Sequence, residues 1–263
     1  MLLLGCDFSS APSRRKPIVV ALGAERGAAV HVTGFERFST LDAWRHWLAS
    51  VPAWVGGFDL PFGLPRELVT QLGWPLQWQE LMAHYAGLER EEIRAVFRAF
   101  CAARPVGGKF AHRRTDGPAG SSPSMKWVNP PVAFMLHAGV PRLMAAGAAF
   151  PGLHVPTAGR GERIALESYP GLLARELIGR RSYKSDLAVA RTPAKRAARA
   201  DLLAALQAGA SRLGLRVVVD DETCAVLLDD GSGDSIDAVL CLVQAAWGAA
   251  RSGSAGPGYG LPN

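Results

Sequence analysis

Three apolar runs in this chain each end on an acid. Leu2-Leu3-Leu4-Gly5-Cys6 leads into Asp7, Trp54-Val55-Gly56-Gly57-Phe58 into Asp59, and Ile164-Ala165-Leu166 into Glu167. Unbroken apolar runs of this length mark strands buried on both faces, and a carboxylate in such a place is costly unless it is paired or bound to a cation. Two further acids, Asp234 and Asp237 in Asp-Ser-Ile-Asp, open a last helix, where i, i+3 spacing puts both on one face. Carboxylates gathered within a few ångströms repel one another, and one takes up a proton unless a cation neutralises the group. Mg²⁺, or Mn²⁺ in its place, meets that need with hard oxygen ligands and positions left for phosphate. Two such ions can activate water and stabilise a leaving oxygen, so the chemistry expected is phosphodiester hydrolysis.

Each acid also has a structural alternative. Asp234 can cap the last helix with Asp237 favouring its dipole. Glu167 can pair with Arg163 or Arg175, and Asp7 and Asp59 can stabilise turns at Ser9 and Gly63. What weighs against these readings is the repetition of one feature at several strand ends.

The elements that must position these acids read as α/β with a mixed sheet. Strands are expected over Leu2 to Phe8, Ile18 to Leu22 and Ala28 to Phe38, with Gly23 and Gly27 marking the hairpin between the last two. Thr40 caps a helix carrying Leu41, Trp44 and Leu48, which Pro52 ends, and a fourth strand covers Trp54 to Phe58. From Pro65 to about Gly147 the pattern is helical, broken by a long Gly/Ser/Pro-rich and basic loop from Pro105 to Pro131. A strand over Arg163 to Glu167 precedes a helix from Pro170 to Ile178. Pro193 opens a long helix with Leu202, Leu206, Ala210 and Leu213 as its buried stripe and Gly214 as its stop. Leu215 to Val219 and Ala225 to Leu228 read as short strands, and Asp234 to Ala250 as a final helix. The whole is expected to be one domain over 1–263, with a helical and loop insertion over 65–160 and a loose tail over 252–263. Mixed sheets of this kind place ligands beyond the carboxyl ends of their parallel strands.

The 263 residues, 49% hydrophobic, suffice for one core. A net charge of +6 favours anionic partners without resembling a basic tail. Cys6, Cys101, Cys224 and Cys241 are scattered, which suggests free thiols in a reducing cytosol rather than a disulfide framework or a zinc site. No window reaches the ~20 apolar residues of a membrane span, and Leu2-Leu3-Leu4 is too short for a signal peptide, so a soluble cytoplasmic protein is expected.

Four segments, taken together and in order, resemble a known family, the domain of unknown function 429 group of predicted RNase-H-like nucleases. They are Gly5-Cys6-Asp7-Phe8-Ser9; Gly57-Phe58-Asp59-Leu60-Pro61-Phe62-Gly63; Glu167-Ser168-Tyr169-Pro170 with Tyr183-Lys184 downstream; and Asp234-Ser235-Ile236-Asp237-Ala238. The resemblance implies three antiparallel strands followed by parallel ones, with acids of the first strand, the fourth strand and the last helix meeting at one metal site. The paired acids of the last helix look like the DxxD arrangement of RuvC-type junction resolvases. That would make Asp7, Asp59, Asp234 and Asp237 the metal ligands, with Glu167 as a further catalytic candidate.

Basic residues recur as Arg14-Arg15-Lys16, as Lys109, His112, Arg113 and Arg114, as Arg180-Arg181 with Lys184, and as Lys195, Arg196 and Arg199. Phosphate backbones are attracted to such groups, although any one cluster is more often a solvated face. Ser9, Arg113, Arg114 and Lys184 are the substrate contacts expected here, with nucleic acid as the partner. A homodimer would suit a branched substrate. Two rival readings remain: an ATP-using phosphotransferase or ATPase of the actin-like kind, with Ser9-Ser10 at a phosphate, and a non-catalytic nucleic-acid-binding module.

Overall fold

The computed structural model describes residues 1–156 and 162–252. The tail expected beyond residue 252 and the last residues of the 65–160 stretch therefore lie outside the described residues. Strand β1 (Leu2–Asp7) pairs antiparallel with β2 (Ile18–Arg26), which pairs antiparallel with β3 (Ala29–Phe38). On the other side of β1 lie β4 (Trp54–Phe58) and then β5 (Arg163–Glu167), all three parallel. A short β6 (Arg216–Val218) runs parallel to β3, so the sheet order is β5-β4-β1-β2-β3-β6. Every residue of β4 is buried, which is why that run shows no apolar/polar alternation.

Helices cover both faces. After α1 (Leu41–Ser50) come α2 (Arg66–Gln71), α3 (Trp78–Ala86), α4 (Arg90–Ala102), the single turn α5 (Asp116–Ala119) and α6 (Val132–Ala145). Apart from α5, they share one core with the sheet, in which Cys6, Trp44, Phe58, Phe97 and Leu136 are buried together. The opposite face carries α7 (Pro170–Ile178), α8 (Pro193–Ala208), α9 (Asp221–Asp229) and α10 (Asp234–Ala249), packed around Leu3, Val19, Val55, Leu202 and Val239. Helix α10 is apolar nearly all round, and it is buried nearly all round.

Four expectations change. The hairpin turn is made at Gly27, with φ +63°, whereas Gly23 lies inside the ladder where the β2–β3 register slips. Residues 225–228 belong to α9 rather than to a strand, because the Asp220 carboxylate accepts from the Thr223 N–H at 2.8 Å and caps a helix there. Helix α8 stops at Ala208, since Gly209 takes the left-handed conformation with φ +70°. Ala210 and Leu213 thus follow the helix, and Gly214 belongs to the turn before β6. Fourth, the loop over 105–131 holds the turn α5. Among the described residues no helix is long and apolar enough to cross a membrane.

Candidate active site

Because β1, β4 and β5 are parallel, their carboxyl ends lie along one edge. Cys6 is level with Phe58, and Phe58 with Glu167. One further step of ladder, Asp59 N–H to the Cys6 carbonyl and Ser168 N–H to the Phe58 carbonyl, each 2.9 Å, sets Asp7, Asp59 and Ser168 in the next row. Side chains alternate across a sheet. Asp7 and Asp59 therefore face α10, and Glu167 is turned to the opposite face with Phe58. In β5 the position in line with the two aspartates is held by Ser168.

Gly5 and Gly57 precede Asp7 and Asp59 by two residues, so they share their face, and the two glycines are partners in the ladder. A Cβ on Gly5 would collide with the backbone of Ala238 and Leu242, and one on Gly57 with the Cys241 carbonyl and the Ser168 hydroxyl. Their bareness lets α10 lie directly on the sheet. Its first turn then brings Asp234 and Asp237 to the strand ends, 6% and 0% exposed. Neither acid caps the helix, contrary to the structural alternative for Asp234. Gly233 stands at the cap with φ +79°, and the Asp230 carboxylate accepts from the Ser235 N–H at 2.8 Å and from the Ser232 hydroxyl.

The resulting cluster is electrostatically crowded. Burial and then the neighbouring Asp237 push the Asp7 carboxyl well above the usual carboxylate range, with Asp234 and Asp59 adding to the rise and Lys184 opposing it. Burial and then Asp237, with Glu167 adding and Lys184 opposing, raise Asp59 to about 7. Burial also raises Asp234, against the pull of Lys16. Asp237 is held by two partners: the Tyr183 hydroxyl donates to Oδ1 at 2.6 Å and the Lys184 ammonium to Oδ2. Burial pulls the Lys184 ammonium down, but Asp237, Tyr183 and Asp7 outweigh it and raise its pKa. The loop bearing both residues is fastened by Arg199, whose guanidinium donates to the carbonyls of Tyr183 and Leu228. Arg199 is 3% exposed, so it is no part of a basic surface for phosphate. Its i, i+3 and i, i+7 spacing to Leu202 and Leu206 is a signal of burial that the reading of a basic cluster with Lys195 and Arg196 passed over.

Glu167 pairs with neither Arg163 nor Arg175. It accepts two hydrogen bonds from Arg113, at 2.7 and 2.8 Å, and one from the Phe62 N–H at 2.8 Å. Arg113 in turn holds the fully buried Asp116, with Nε to Oδ1 at 2.9 Å. It is thus a bridge between the 113–121 loop and the end of β5, not an unengaged substrate contact. Arg163 donates to the carbonyls of Ala49, Val51 and Ala146, and Arg175 to those of Ala119 and Gly120. Arg114 is exposed. Ser9 lines a cleft with Asp7, Lys16, Lys184 and Asp234.

Among the described residues no three His, Cys, Asp or Glu side chains already stand as a group ready to hold a metal. The donor set nevertheless fits a hard divalent cation. Among the described residues the Asp7 and Asp59 carboxylates receive no hydrogen bond, both line clefts, and each suffers from its neighbours' charge. No family model, no curated protein and no solved structure matches this chain.

Proposed function

We propose that this chain is a metal-dependent nuclease of RNase-H-like architecture, with residues 65–160 as a helical insertion. The observation that carries the reading is the convergence of Asp7, Asp59, Asp234 and Asp237, from two strands and a helix distant in sequence, into one part-buried cluster in which burial and neighbouring acids raise the carboxyls of Asp7, Asp59 and Asp234. Asp7, Asp59 and Asp234 would hold Mg²⁺ or Mn²⁺, with Asp237 joining as Lys184 turns from it to the substrate. The ion would supply activation of water and neutralisation of charge building on the phosphate. Tyr183 keeps Asp237 oriented. Lys184 stands where three clefts meet, one of them lined also by Arg175, Arg180 and Arg181, and that basic channel suits a phosphate backbone with salt-sensitive affinity. Glu167 and Arg113 shape the neighbouring wall.

One observation favours a non-catalytic nucleic-acid-binding module: the Lys184 ammonium already neutralises the deepest acid. The two readings part in a single experiment. Labelled single-stranded, duplex, hybrid and branched DNA and RNA are incubated with the protein in Mg²⁺ or Mn²⁺. Cleavage that falls at least 100-fold in Asp7→Asn and Asp59→Asn supports the nuclease. Binding without cleavage supports the module, and ATP turnover without cleavage the actin-like rival.

A further inference from the structure

A cleft of about 280 Å³ opens from the acid cluster toward the start of α6. Leu60, Pro61, Val132, Met135 and Tyr169 give it apolar walls, the Arg113–Glu167 ion pair forms a polar side, and Asp59 and Lys184 stand at the end it shares with the acids. Ser168 lines it too. That serine is 5% exposed, and its hydroxyl has no hydrogen-bond partner among the described residues. That hydroxyl is packed against Gly57 beneath α10, so the serine closes the floor of the cleft. Tyr169 lines both this cleft and the basic one that holds Arg180 and Arg181.

Apolar walls, an aromatic ring and a charged end describe a site for a flat body joined to a phosphate. We infer that this cleft receives one unstacked nucleobase of the substrate, with the adjoining phosphate at Lys184 and the acids. The inference rests on the nuclease reading and narrows it. A base in a duplex stack cannot enter so small a cleft, so the substrate offers a single-stranded or flipped nucleotide at the cut. Tyr169 supplies stacking area for the base.

Two measurements test it separately from the chemistry. The first compares binding of a nucleoside 5′-monophosphate with deoxyribose 5-phosphate, by calorimetric titration of the whole chain. Binding at least tenfold tighter with the base is expected, and Val132→Trp or Ser122→Trp, each filling the cleft from a part-exposed position, abolishes the difference. The second places one abasic residue in a single-stranded substrate. Cleavage at the adjoining phosphate is expected to fall about 5- to 150-fold, the range of one lost base–aromatic stack. Equal binding of the two phosphates overturns the inference. Cleavage indifferent to the missing base also overturns it while leaving the nuclease standing. Base-dependent binding without cleavage of any nucleic acid keeps the cleft and overturns the nuclease.

Discussion

Gly5 and Gly57 stand side by side in the ladder between β1 and β4, and the backbone of α10 rests on both. The position of Asp237 depends on that contact, because a helix lifted by one methyl would withdraw its first turn from the strand ends. The glycines are thus part of how the acid cluster is built, two residues upstream of the acids they serve.

Gly5→Ala is expected to destabilise the fold by about 3 kcal/mol, the upper end for an added methyl in a packed core, since the obstacle is backbone that cannot rotate away. Urea unfolding measures it. Gly56→Ala serves as the comparison, because its added methyl would meet the Phe58 ring and the Leu4 side chain rather than the backbone of a helix.

Lys184 and Asp237 form an ion pair with very unequal burial, the lysine side chain 45% exposed and the aspartate 0%. Removing the charge that competes with a bound ion should tighten Mn²⁺ binding. Lys184→Met is expected to lower the Kd about tenfold, ~1.4 kcal/mol, while cleavage falls. Calorimetry gives the first number and a nuclease assay the second. Tyr183→Phe, which deletes the other partner of Asp237, is expected to cost about 1.5 kcal/mol of stability.

Stability without metal should fall as pH rises. The Asp59 carboxyl titrates at about 7 in the folded protein, far above its ordinary value near 4. Between those values the folded state holds a proton that the unfolded state has released, so folding is favoured at low pH and weakened as pH climbs toward 7. Asp7 and Asp234 are raised and act in the same direction. With metal chelated, unfolding free energy is expected to drop by about 1–2 kcal/mol from pH 5.5 to 8, allowing for the part-exposed carboxyl. Asp59→Asn should flatten the slope, and millimolar Mg²⁺ at pH 8 should restore the loss.

Glu167→Gln separates wall from cluster. The bidentate contact with Arg113 is charge-assisted, but the Glu167 side chain is 36% exposed, so the expected cost is about 1 kcal/mol in thermal or urea unfolding. Mn²⁺ affinity should change less than twofold. A loss as large as that of Asp59→Asn would return Glu167 to the ion's ligands.

The strand ends were legible because a buried apolar run that stops on an acid is conspicuous without any knowledge of topology. The expectation that Asp7, Asp59, Asp234 and Asp237 converge came from that signal together with the resemblance of four segments to a known family. Partnerships across long separations were not legible: Arg113 with Glu167, or Tyr183 and Lys184 with Asp237, depend on which loop returns to which edge. Glu167 shows the limit well. It ends an apolar run as Asp7 and Asp59 do, yet a one-residue difference in register turns it to the other face and puts Ser168 in line instead. Local signals were also missed. The run Asp220-Asp221-Glu222 followed by Thr223 is a helix start, and it outweighs the short apolar stretch that read as a strand at 225–228.

The shared cation is tested most directly by thermal unfolding in the presence and absence of Mn²⁺. Wild-type protein should gain stability as the concentration rises through its Kd, by RT ln(1 + [L]/Kd), whereas Asp7→Asn and Asp59→Asn should show no gain at the same concentrations. An equal gain in all three proteins, or none in the wild type, would contradict the account.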